Sequence, residues 1–144
     1  MTLSVILAAK GRDVVTTTPE QTLREAVGTL GRMKIGAMVV VDGERRVRGI
    51  VSERDIIRAV AGRDLTVLDD PVSGHMTARV ETAAPDSSVR EAMERMTAGR
   101  FRHLPVVEHG RLAGLVSIGD LVKYRLSEME TENQAMRDYI TAVA

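Results

Sequence analysis

Cysteine and tryptophan are absent from the 144 residues, and Phe101, Tyr124 and Tyr139 are the only aromatics. Disulfides, thiolate nucleophiles and cysteine-ligated metals are therefore excluded. Three aromatics are too few for a base-stacking platform. An excess of charge of one sign is lacking too. Twenty Lys plus Arg stand against 20 Asp plus Glu, which leaves no general attraction for a polyanion, so nucleic acid is not expected as a partner. The longest apolar runs, Val5 to Ala9 and Ala37 to Val41, fall far short of the roughly 20 residues a membrane span needs, and no membrane partner is expected. Lys10 follows the first apolar run instead of preceding it, unlike the basic start of a secretory signal, so a cytoplasmic protein is expected. His75, His103 and His109 show no metal-ligand spacing, and no metal is expected.

What the chain does contain is a repeat. Placing Pro19 over Pro85, 66 residues on, aligns TPEQTLREAVGTLGRMKIGAMVVVD with APDSSVREAMERMTAGRFRHLPVVE. After a one-residue deletion the offset becomes 65, and GIVSERDIIR from Gly49 lies over GLVSIGDLVK from Gly114. A period this long, occurring twice, indicates two similar half-domains instead of a solenoid of short units.

Each half carries the same order of signals. Short β-prone runs, Val14 to Thr16 and Arg79 to Thr82, precede Pro-containing turns. Helices then open at the capping boxes Thr22 with Glu25 and Ser88 with Glu91. Leu23, Ala26, Val27 and Leu30, and in turn Val89, Ala92, Met93 and Met96, recur at helical spacing. Ala37 to Val41 and Leu104 to Val107 read as buried strands, joined at Asp42-Gly43 and His109-Gly110 to Val47–Val51 and Leu112–Val116. Second helices begin at Ser52 and Ser117. The predicted order is β-α-β-β-α, twice, in a mixed α/β (α+β) chain.

The doubled G-h-h-S-x-x-D ending (where h is apolar), in GIVSERD and GLVSIGD, together with IGAMVVVD and RHLPVVE upstream of it, resembles a tandem pair of CBS domains, a Bateman module, over roughly residues 3 to 125. The resemblance implies two repeats packed sheet to sheet with pseudo-two-fold symmetry. The predicted division is an N-terminal arm and first repeat over 1–66, a linker and second repeat over 67–125, and a C-terminal amphipathic helix over 126–144. It also implies an adenine nucleotide as regulatory ligand, AMP first, with ADP, ATP or a relative such as NAD or S-adenosylmethionine as alternatives, held in clefts between the repeats.

The motif's chemistry can be argued separately. A Ser at a helix N-terminus places a hydroxyl and free N–H groups at the positive end of the helix dipole, which suits phosphate. Asp55 or Asp120 can accept from both hydroxyls of a ribose, as an acid does in dinucleotide folds. Ser-x-x-Asp is equally a plain helix cap. By the resemblance, a first cleft joins Ser52, Arg54 and Asp55 to Val80, Phe101, Arg102 and His103. A second joins Ser117, Ile118, Gly119 and Asp120 to Val14, Ile35, Gly36, Ala37 and Met38. The first has Arg54, Arg102 and His103 for phosphate, whereas the Ile35–Met38 segment carries no charge, so the first is expected to take the more highly phosphorylated ligand.

Beyond the repeats, Leu126, Met129, Asn133, Met136, Ile140 and Val143 form a heptad stripe with a polar seam residue. It either folds back on its own module or pairs with a second copy, and a homodimer is expected. No nucleophile with an adjacent base and no paired carboxylates are identifiable, so catalysis is not expected. The expected function is a regulatory adenine-nucleotide sensor that signals to an effector protein on another chain. The alternative is a dimeric scaffold that binds no ligand.

Overall fold

The computed structural model describes residues 1–143. Its elements are helix α1 (Leu3–Lys10), strand β1 (Thr16–Thr17), helix α2 (Leu23–Met33), the hairpin β2 (Ala37–Val41) and β3 (Val47–Ser52), and helix α3 (Glu53–Gly62). Two 3-10 turns follow at Leu65–Asp69 and Val72–Gly74, then helix α4 (Val89–Gly99), the hairpin β4 (His103–Glu108) and β5 (Arg111–Ser117), and helix α5 (Ile118–Val143).

The halves match down to their irregularities. Thr22 Oγ1 and Ser88 Oγ accept from the N–H of Glu25 and Glu91, which caps α2 and α4 as the sequence predicts. Both helices end on a left-handed residue at φ 55°, Lys34 and Arg100. Both hairpins carry a register shift, between Val40 and Val41 and between Val106 and Val107. Val41 then pairs with Val47 but Val107 with Leu112, so the second connection is one residue shorter. In that tighter turn His109 and Gly110 both have positive φ, 54° and 76°, as a two-residue type I′ turn requires.

One predicted strand does not form. Residues 79–82 are irregular, and the second half's first strand shrinks to a single parallel bridge between Ala83 and Val106. Ala83 N–H donates to Pro105 O at 3.0 Å and Val107 N–H donates to Ala83 O at 2.7 Å. The pairing that β1 makes over two residues is thus completed here by one, and Pro105, which has no N–H to give, contributes its carbonyl.

The two cores are assembled crosswise. Leu3, Ile6 and Leu7 of α1 are buried with Ala83, Val89, Ala92, Met96, Leu104, Val106, Val116 and Leu121 of the second repeat. Val67 and Val72 of the linker are buried with Leu23, Ala26, Leu30, Met38, Val40, Val51 and Ile56 of the first. Parallel hydrogen bonds hold the two segments. Val72 N–H donates to Gln21 O and Ser73 N–H to Pro19 O, while Leu3 N–H donates to Ser87 O and Ser4 N–H to Pro85 O. The predicted boundary between 66 and 67 follows the sequence, whereas packing puts 3–10 with the second repeat and 65–76 with the first. A third apolar cluster, Val39, Val41 and Leu112 with Val14, Val47 and Leu115, joins the sheets of the two repeats face to face.

Helix α5 runs unbroken from the second repeat's motif into the heptad segment predicted over 126–144, of which Ala144 lies outside the described residues. Leu121 is buried, Tyr124 packs on the core, and every residue from Met129 to Val143 is exposed. The helix therefore does not fold back on its own module. No helix among the described residues is long and apolar enough to cross a membrane.

Candidate functional site

Each Ser-x-x-Asp motif sits where a strand turns directly into a helix. Ser52 ends β3 and caps α3: its Oγ accepts Asp55 N–H at 3.2 Å, while Ser52 N–H and Oγ–H donate to Asp55 Oδ2 at 2.9 and 3.0 Å. Ser117 repeats the arrangement at α5, its Oγ accepting Asp120 N–H at 3.1 Å and its N–H donating to Asp120 Oδ2 at 2.8 Å. The capping role is thus real in both halves. It uses one carboxylate oxygen of each Asp and leaves Oδ1 directed elsewhere. Among the described residues Asp55 Oδ1 has only Thr77 Oγ1 at 3.4 Å and an Arg58 guanidinium nitrogen at 3.9 Å.

The hairpin register decides what faces each motif. Ala37 lies opposite Ser52, and Gly36 O accepts Glu53 N–H at 2.9 Å. His103 lies opposite Ser117, and Arg102 O accepts Ile118 N–H at 2.9 Å. The GAM and RHLP segments therefore abut the motif of their own repeat. Ala37 and Met38 are buried in the core, Ile35 packs against the first repeat's core, and Val14 belongs to the cluster between the sheets. Val80 is half-buried in the irregular stretch before Ala83, and Gly119 is exposed in the first turn of α5.

Contact across the repeats comes through Arg54. It lines an open cavity of about 360 Å³ with Met96, Thr97, Arg100, Phe101, Arg102 and Ile118, so part of the predicted first cleft is assembled together with Ile118 of the second. Arg100 adds a third guanidinium that the sequence reading did not single out. A second cavity of about 380 Å³ opens beside Asp55, lined by Arg58, Ala59, Gly62, Arg63, Gly74, His75 and Met76. There His75 Nε2 and Arg63 meet Asp70 at 2.8 and 2.6 Å. Their hydrogen bonds, that from His75 foremost, hold the Asp70 carboxyl below its ordinary value despite partial burial.

The expected charge asymmetry is corrected. Lys10, at the end of α1, reaches the second repeat and donates to Asp120 Oδ2 at 2.5 Å and to Leu115 O at 2.9 Å. His103 stands by the same pair. Burial first, and then the Lys10 charge, lower the pKa of its imidazole, with Asp120 pulling the other way. Burial pushes the Asp120 carboxyl up, but the Lys10 ammonium and the Ser117 N–H outweigh it and keep the group low. One cation, Lys10, therefore stands at Asp120, so the guanidinium groups around Arg54 are not the only positive charge near a motif. The reason is the hairpin, which holds His103 against its own motif, and the crosswise α1, which brings Lys10. Among the described residues no group of three or more His, Asp and Glu could hold a metal ion.

The CBS domain family model matches residues 10–62 and 72–127. The chain belongs to the CBS-domain family. It is 50% identical to a solved CBS-domain containing protein from Agrobacterium tumefaciens, with a TM-score of 0.82 over 87% of this chain and 99% of that one. It is 33% identical to a CBS domain protein from Pyrobaculum aerophilum solved in complex with AMP, with a TM-score of 0.74 over 83% of this chain and 89% of the other. An uncharacterized 17.7 kDa protein of Acidianus ambivalens is 40% identical over 106 residues, 73% of this chain. The chain spans 63% of that relative's length. These likenesses identify a pair of CBS domains.

Proposed function

We propose that this CBS pair is a non-catalytic sensor of an adenine nucleotide, AMP in the first place and ATP or NAD as alternatives, and that it relays occupancy to an effector chain. The observation that carries the reading is the doubled cap. Each motif Asp spends one oxygen on its helix and keeps the other off the cap, that of Asp55 held only by a long Thr77 contact beside an open cavity. A ribose diol is a natural donor to such an oxygen. Arg54, Arg100 and Arg102 around the neighbouring cavity suit a phosphate tail. The AMP complex of the Pyrobaculum relative supports the same ligand class.

A thermal-shift panel of AMP, ADP, ATP, NAD, NADH, S-adenosylmethionine and GTP at millimolar concentration tests this, because a ligand that binds only the folded state raises Tm. One adenine ligand is expected to raise Tm selectively, with the rise reduced in Asp55→Asn and in Asp120→Asn, variants that keep a capping acceptor. A flat panel on protein freed of co-purified nucleotide would favour the ligand-free scaffold.

The assembly we propose is a homodimer in which α5 takes part. Leu126, Met129, Met136, Ile140 and Val143 are 47–67% exposed along one heptad stripe, and such a stripe is self-complementary, with Asn133 able to fix register. A chain ending at Tyr124 is expected to sediment with a dimer dissociation constant raised about tenfold or more, a shift of about 1.4 kcal/mol. An unchanged constant removes the helix from the interface.

A further inference from the structure

The apolar stripe of α5 begins before the heptad segment. Val122 is 43% exposed and lies one heptad ahead of Met129, so the stripe runs from Val122 to Val143 at alternating spacings of four and three residues. It covers three heptads, roughly 30 Å of helix. The residues that tie α5 to its own module are turned away from it: Leu121 is buried in the second repeat's core and Tyr124 packs against that core. A second helix can therefore lie along the stripe from its first layer without meeting the module. Val122 also follows Asp120 by only two residues, so the stripe starts within the turn that carries the second motif.

The polar residues of α5 decide what covers this face and in which direction. Asn133 interrupts the stripe near its middle. If an identical helix lies alongside, parallel and in register, Asn133 meets Asn133 of the second copy, and the two carboxamides donate and accept between themselves. If the second helix runs the other way, the apolar layers align only with Asn133 against Met129 or Met136 of that copy, and the amide loses water without gaining a partner. The charges along the edges agree with the first arrangement. In a parallel pair the flanking positions face each other across the seam, residue i against residue i+5 of the other helix. That sets Glu132 against Arg137 and Arg125 against Glu130, opposite in sign in both cases and each made twice by symmetry. Among the described residues Glu130, Glu132 and Arg137 enter no ion pair, and Arg125 reaches only Glu128 of its own helix.

We infer that α5 of two copies forms a parallel, in-register, two-stranded coiled coil from Val122 to Val143, with Asn133 paired across the seam. The inference rests on the homodimer proposed above and adds to it a direction. Parallel pairing puts both second repeats at one end of the coil, with both Ser117–Asp120 motifs beside its first layer. An antiparallel pair would hold them at opposite ends, roughly 30 Å apart.

The chain contains no cysteine, so single-cysteine variants of the full chain report the direction without background. Val122→Cys and Val143→Cys stand at exposed positions of the stripe, and a thermal melt of each checks that the fold is kept. Oxidised with diamide above the dimer dissociation constant, each is expected to become more than about four-fifths disulfide-linked dimer, while Thr131→Cys, on the outer face, stays below about one-fifth, because a disulfide needs its two Cβ atoms close together. Sedimentation at low salt tests the edge charges. Glu132→Arg and Arg137→Glu each turn two attractions per dimer into two repulsions and are each expected to raise the dimer dissociation constant about tenfold, whereas the double variant should return to within about threefold of the unmodified chain. If neither Val122→Cys nor Val143→Cys links, or if the double variant is no tighter than the single ones, while the chain ending at Tyr124 still dimerises more weakly, the helices pair in another direction and the inference fails alone. If that truncation leaves the dimer constant unchanged, or the unmodified chain sediments as a monomer, the proposed α5 homodimer fails and this inference with it.

Discussion

Leu7→Ala is expected to cost about 3 kcal/mol of folding free energy and to loosen the second repeat, more than 70 residues away in sequence, before the first. Leu7 is fully buried, and its neighbours are core residues of α4, β4, β5 and α5. Truncation removes the apolar transfer term and leaves a cavity in a close-packed interior, which has only rigid strands to collapse around it. Against a total stability of about 5–15 kcal/mol for a chain of this size, that is a large fraction. Urea denaturation measures the magnitude, and amide hydrogen exchange measures the place. Protection should fall first in β4 and β5 and persist in β2 and β3. A loss below about 1 kcal/mol, or fraying that begins in β2 and β3, would mean that the arm only lies on the surface.

That crosswise assembly marks the limit of what the sequence makes legible. The paired halves, their capping boxes, the buried strands and the tight His109-Gly110 turn are local features, and helical spacing and turn chemistry reveal them directly. The docking of 3–10 onto one repeat and 65–76 onto the other is non-local. Its sequence trace is only Leu3-Ser4 over Val72-Ser73, at an offset of 69 where the rest of the chain uses 66 or 65. The two segments also differ in conformation, an eight-residue α-helix against 3-10 turns, while making equivalent hydrogen bonds to Pro85 and Ser87 or to Pro19 and Gln21. The candidate site divides in the same way. Ser52, Asp55, Ser117 and Asp120 are legible because a cap is a local pattern. Lys10, Arg100 and Thr77 are not, because folding alone brings them to their neighbours. The strand expected at 79–82 fails for a related reason: β-prone residues need a partner edge, and β4 offers one only at Ala83.

Gly49 of the doubled motif supplies the second large effect. A Cβ built there would lie 2.7 Å from Thr77 O and 2.8 Å from Met76 Sδ, and that carbonyl is already committed, accepting Ile50 N–H at 3.0 Å. The glycine exists so that the linker can run against β3. Even Gly49→Ala has to push a hydrogen-bonded backbone away from the strand, and the expected cost is about 3 kcal/mol, at the upper end for overpacking. At the equivalent Gly114 the obstacle is the tip of the Leu7 side chain, at 2.7 and 2.9 Å. A side chain can rotate where a carbonyl cannot, so Gly114→Ala should cost less, about 1–2 kcal/mol. Gly43→Ala, with nothing within 4 Å, should stay within about 0.5 kcal/mol. Thermal and urea unfolding of the three variants gives the ranking, and equal losses at Gly49 and Gly43 would sink the packing account. If the ranking holds, the glycine and serine of the motif are explained by crossing and capping alone. What the cap then leaves over in each repeat is the second carboxylate oxygen, reached at Asp55 by a hydrogen bond only from Thr77 Oγ1 at 3.4 Å among the described residues, and a ribose diol would have to be read there.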